Sequence, residues 1–91
     1  MLDIVSPKSF RKDLEVAIKR GYDIDLLEEV VDKIARGEKL EERYKDHFLK
    51  GSFKGYRECH ILPDWLLIYK VNEKELILYL LRTGTHSDLF D

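Results

Sequence analysis

The apolar positions of this chain change their period about halfway along it. Residues 2–5, LDIV, form a short β-branched run closed by Ser6-Pro7, a pair suited to the cap and first turn of a helix. Phe10, Leu14, Ala17 and Ile18 then recur at helical spacing through Arg20, with basic residues late in the run and Gly21 placed to end it. Asp23 or Asp25 can cap a second helix with the stripe Leu26, Leu27, Val30, Val31 and Ile34 before Gly37. Glu28, Glu29, Asp32 and Lys33 fall on its other side, so the two segments predict an amphipathic helix hairpin.

Between residues 38 and 55 the periodicity disappears, leaving a polar segment long for a connection in a compact domain. Strand signals follow: residues 56–62, a turn at Pro63-Asp64, WLLIYKV at 65–71, a turn at 72–74, and ELILYLLRTG at 75–84. Three consecutive strands predict an antiparallel meander, and their near-continuous apolar runs predict a sheet covered on one face and partly on the other. The expectation is an α+β fold of βααβββ order over residues 1–91, read as a single domain with the helix hairpin packed on a small, twisted, mainly antiparallel sheet.

Composition narrows the class. A chain of 91 residues with 44% hydrophobic residues, five Gly and two Pro is balanced for a packed core rather than for disorder or a fibre. No apolar run nears the roughly 20 residues that span a bilayer, and no secretory pattern opens the chain, so a soluble, cytoplasmic protein is expected. A lone Cys59 allows neither an intramolecular disulfide nor a multi-Cys zinc site. The net charge of −2 argues against a nucleic-acid partner until its distribution is read. Acid is concentrated in residues 23–42, whereas residues 43–57 hold Arg43, Lys45, Lys50, Lys54 and Arg57 against Asp46 alone, a local charge of +4 able to meet phosphates.

The titratable chemistry lies in the second half. His47 sits in the basic segment, His60 and Asp64 flank the turn between two strands, and Arg82 and His86 lie at the end of the last strand, where a sheet can bring them together. Imidazole titrates near pH 6.5 and both takes and gives protons, a neighbouring carboxylate can act as base or raise its basicity, and Arg82 could clamp a phosphate. Such a set, with no Ser elbow and no Cys pair, fits phosphodiester cleavage of RNA, whose 2′-hydroxyl is an internal nucleophile, and needs neither metal nor other cofactor. Tyr56, Trp65 and Phe90 could stack bases, although Trp65 opening an apolar strand is more often core. Cys59 reads better as a small buried hydrophobe than as a nucleophile. The histidines are 13 and 26 residues apart, without the close pairing usual in small zinc sites.

Three blocks of the chain, YKDHFLKGSFKG at residues 44–55, YRECHILPDWLLIYK at 56–70 and LRTGTHSDLF at 81–90, resemble the YafQ-type mRNA interferases of the RelE/ParE toxin superfamily. The resemblance implies a RelE-like fold, a cognate antitoxin as partner, entry into the ribosomal A site, and metal-independent cutting of translated mRNA. It implies that His47, His60, Asp64 and His86 form the acid–base set, that Arg82 stabilises the scissile phosphate, and that Trp65 and Phe90 position substrate; the local charge reading adds Lys45, Lys50, Lys54 and Arg57 as substrate-binding candidates. The slight net acidity departs from the basic character usual in ribosome-directed members. A gyrase-inhibiting branch of the same architecture and a non-catalytic interaction module are the competing readings.

Overall fold

The structure, a computed structural model, describes residues 1–90. Strand β1 (Asp3–Val5) leads into helices α1 (Lys8–Lys19) and α2 (Ile24–Ala35); strands β2 (His47–Phe48), β3 (Arg57–Leu62), β4 (Trp65–Asn72) and β5 (Ile77–Gly84) follow, and α3 (His86–Phe90) comes last. The helix ends obey local chemistry. Asp23 caps α2 by accepting the Asp25 N–H at 3.0 Å. Gly21 (φ +80°) and Gly37 (φ +78°) each take the left-handed turn that lets the next residue bond back into the helix: Tyr22 N–H to Ala17 O and Glu38 N–H to Lys33 O, both 3.0 Å. At α1 the cap position belongs to Pro7 rather than Ser6, and no side chain bonds there; the Pro7 carbonyl takes the Phe10 N–H instead.

The sheet has the order β1-β5-β4-β3-β2, with β1 parallel to β5 and every other pair antiparallel. The expected α+β hairpin-on-sheet architecture is therefore present, with additions where the hydrophobic signal was too short to read. Residues 38–55 hold 3-10 turns at Glu42–Tyr44 and Gly51–Phe53 and the two-residue strand β2, and the residues that follow β5 form α3.

Alternation along β3 and β4 divides the molecule into two layers. Cys59, Ile61, Trp65, Leu67 and Tyr69 face the stripe of α1 and α2, packing with Phe10, Leu27, Val30 and Ile34 into the main core. Leu66 and Ile68 point to the opposite face, where Leu89 of α3, Leu49, Phe53, Tyr56 and Leu81 cover them. Burial of these apolar side chains, each stabilising by about 1.5–3 kcal/mol, fixes which face is core and which is left for chemistry. No helix among the described residues is long and apolar enough to cross a membrane.

Candidate active site

The second face carries the titratable groups. His47 of β2 stands directly opposite Glu58 of β3, Glu58 opposite Ile68, and His60 opposite Leu66, so period-2 alternation aims His47, Glu58 and His60 at the layer that α3 covers. His60 Nδ1 lies 3.2 Å from the Pro63 carbonyl and His47 Nδ1 2.7 Å from the Lys45 carbonyl. A carbonyl only accepts, so both rings donate through Nδ1 and turn Nε2 inward. Both Nε2 atoms meet one oxygen of Glu58, His47 at 3.7 Å and His60 at 3.6 Å. Lys45, in the left-handed conformation (φ +49°), bends the backbone that aims its carbonyl at His47.

The third imidazole arrives from α3. His86 lies 6.0 Å from His60, ring centroid to centroid, its Nδ1 3.8 Å from Asp64 Oδ1, and its backbone N–H reaches the same oxygen at 3.5 Å. One helical turn on, Phe90 lies 5.9 Å from His86 and meets Phe53 edge-on at 5.7 Å. A continuous line of contacts thus runs His47, Glu58, His60, His86, Asp64, with an aromatic wall of Phe90 and Phe53 beside it.

The site's members differ in exposure. The Glu58 side chain is 5% exposed, whereas that of Asp64 is 73% exposed, so Glu58 can organise the imidazoles while Asp64 meets solvent. Glu58 carries no motif signal; alternation within β3, which pairs it with His60 on one face, is what could have revealed it.

Other candidates are placed differently. Trp65 is a correction: it is 1% exposed on the helix face, its ring against Tyr22 and its Nε1–H donating to Thr83 Oγ1 at 2.9 Å, so it offers no surface to a substrate. Arg82 stands outside the line of imidazoles. Asp13 of α1 takes its Nε–H and Nη2–H at 2.6 and 3.1 Å and also the Thr83 N–H at 3.2 Å, leaving Nη1 outside the fork. Lys45, Lys50 and Lys54 are exposed and enter no ion pair among the described residues. Arg57 forks onto Asp46, which also accepts the Tyr69 hydroxyl, and its guanidinium lies over the Phe48 ring at 4.8 Å. That network stitches the residue before His47 to β3 and β4. Burial, then the Asp46 carboxylate, pushes the Tyr69 phenol up. Burial, followed by Asp46 and Glu58, pushes the Cys59 thiol up as well, and an uncharged buried thiol is no nucleophile. Among the described residues no group of three or more His, Cys, Asp or Glu side chains is arranged to hold a metal ion.

Comparison with known proteins places these residues in a family. The model of a "bacterial toxin of type II toxin-antitoxin system, YafQ" matches residues 2–91. The mRNA interferase toxin YafQ of Escherichia coli K12 is 43% identical over 89 residues, covering 97% of this chain and 95% of that protein. Among solved structures, a metal-bound toxin from Helicobacter pylori superimposes with a TM-score of 0.93 at 48% identity, covering 99% of this chain and 100% of that one. YafQ in the E. coli DinJ–YafQ complex superimposes with a TM-score of 0.89 at 41% identity, covering 100% of both chains. With the family model matching residues 2–91 and 43% identity over 97% of the chain in agreement, the chain belongs to the YafQ family of bacterial toxins of type II toxin–antitoxin systems.

Proposed function

We propose that this chain is a ribosome-dependent mRNA interferase acting in the cytoplasm, an endoribonuclease toxin restrained by a cognate antitoxin. The observation that carries the reading is the unbroken line from His47 through Glu58 and His60 to His86 and Asp64 on one sheet face. The E. coli relative named an mRNA interferase supports the substrate class, and the DinJ–YafQ complex supports the antitoxin.

The chemistry needs a base, an acid and a cation. His60, its Nδ1 held at the Pro63 carbonyl, takes the 2′-hydroxyl proton on Nε2. The O2′–P bond then forms and the P–O5′ bond breaks, giving a 2′,3′-cyclic phosphate. His86, whose Nδ1 is turned to Asp64, presents Nε2 and delivers the proton to the leaving 5′-oxygen. Arg82 offsets the phosphorane charge through Nη1, Asp13 holding its fork at a fixed angle, while Phe90 stacks the flanking base and Trp65 contributes only as buried support.

The reading is tested by inducing the chain in a host lacking the antitoxin and following translation rate and mRNA 5′ ends for wild type and His86→Ala. Wild-type cuts in translated mRNA that vanish in a folded His86→Ala variant support it; growth arrest without new ends, with loss of gyrase supercoiling, would select the gyrase-inhibiting alternative. Ends that persist in His86→Ala would remove His86 from the mechanism.

A further inference from the structure

The helix that delivers His86 is too weak to place itself. α3 has five residues, far short of the roughly 12–15 at which an isolated helix becomes even marginal in water, and only Leu89 of it is buried. Its position must come from bonds outside its own length.

Those bonds converge on Asp88. Thr85 and Asp88 form a reciprocal capping box: the Asp88 N–H donates to Thr85 Oγ1 at 3.1 Å and the Thr85 N–H to Asp88 Oδ2 at 2.9 Å. Arg20, the residue that ends α1, closes a fork on the same carboxylate with Nη1–Oδ2 at 2.6 Å and Nη2–Oδ1 at 3.1 Å. Gly84, the last residue of β5, makes room for it, since a Cβ there would lie 2.8 Å from Asp88 Oδ2. One carboxylate therefore ties together the end of α1, the end of β5 and the first turn of α3. Two residues apart on a helix, Asp88 and His86 point in widely different directions, so the clamp grips α3 away from the side on which His86 and Phe90 meet His60 and Phe53.

We propose that Arg20 and Asp88 are positioning residues for cleavage, setting the angle of α3 and hence the reach of His86 toward the scissile phosphate. The inference rests on the reading of His86 as general acid. A displacement of about 1 Å in such a group can cost 100-fold in rate. Arg20→Gln removes the fork and leaves the capping box; Asp88→Asn weakens both; Asp88→Glu keeps the carboxylate at the position where a capping box favours Glu.

The experiment measures mRNA cleavage by purified full-length protein in a cell-free translation reaction, with amide hydrogen exchange followed in parallel. Arg36→Gln, which breaks the exposed Arg36–Glu38 pair elsewhere, is the control for loss of any surface ion pair. Arg20→Gln and Asp88→Asn are expected to lower kcat about 10- to 100-fold with KM nearly unchanged. The double variant should be little worse than either single one, Asp88→Glu should recover most of the rate, and Arg36→Gln should match wild type. Exchange at the Leu89 amide, which bonds Thr85 O, should rise in the impaired variants while that of the sheet stays put. Wild-type kcat in both Arg20→Gln and Asp88→Asn would overturn the inference and leave the interferase reading standing, as would additive losses in the double variant. A wild-type protein that cuts no mRNA in this reaction would instead overturn the interferase reading itself.

Discussion

Individual side chains here are specified by what they must not leave unpaired. Thr83 is buried, donates its hydroxyl to Leu66 O at 2.7 Å and accepts the Trp65 indole N–H at 2.9 Å. Replacing it by Val keeps the shape but orphans a buried donor and a carbonyl. Thr83→Val should therefore lose about 1–3 kcal/mol of unfolding free energy, read from urea denaturation, while the chain still folds. Trp65 shows how residue identity alone misleads: an aromatic next to Asp64 in sequence looks like a base platform, yet the first position of β4 turns it to the helix face. Glu58 shows the converse, an ordinary acidic residue that burial between two imidazoles turns into the hub of the site.

Elements carry the next level of specification, and the five-residue helix α3 bears His86. The carboxyl of Asp88 is held well below the usual carboxylate range, chiefly by the Arg20 guanidinium and then by the Thr85 N–H. A depressed folded-state value means that the group adds stability above its unfolded value near 3.9 and loses it as pH falls toward the folded one. Below about pH 4, then, α3 should loosen ahead of the sheet, Leu89 losing exchange protection before the amides of β4 do. In Asp88→Asn that acid-dependent step should shrink, because position 88 no longer carries a carboxylate to be protonated. The helix hairpin depends less on carboxylates: α1 and α2 are anchored mainly by their buried apolar stripes, although Asp13 of α1 and the Asp23 cap of α2 add acid-sensitive bonds.

At the scale of the whole molecule, charge and chemistry are segregated by the sheet. The acidic segment of residues 23–42 includes α2, packed on the helix face, while the imidazoles lie on the other, where the loop that carries Lys50 and Lys54 also packs through Leu49, Phe53 and Tyr56. The net charge of −2 is thus an average over unlike surfaces, and under the proposed function the field that RNA would meet is that of the exposed Lys50 and Lys54 beside the imidazoles. Cleavage should weaken steeply with added salt, with a slope of log affinity on log salt of about −0.7 for each phosphate contact to a single strand. Reversing Lys50 and Lys54 to Glu should reduce cleavage and flatten that slope, with far-UV circular dichroism unchanged; an unaltered slope would remove both lysines from the interface.

Local rules written in the sequence determined much of this protein. Stripe spacing, glycine stops and the Pro63-Asp64 turn defined two helices and three long strands within one or two residues, and the motif blocks identified the histidines. Those signals are local, so neighbouring residues suffice to express them. Shorter pieces were less legible: β2 has two residues and cannot show alternation, while α3 announces itself only by the Thr85–Asp88 spacing of a capping box. What tertiary structure alone decided is which groups meet across distance. The Arg82–Asp13 and Arg20–Asp88 forks each join residues far apart in the chain, and the shared oxygen of Glu58 depends on the register of β2 against β3. Register is set by burying one face of every strand at once, a collective property that no single stretch of sequence contains.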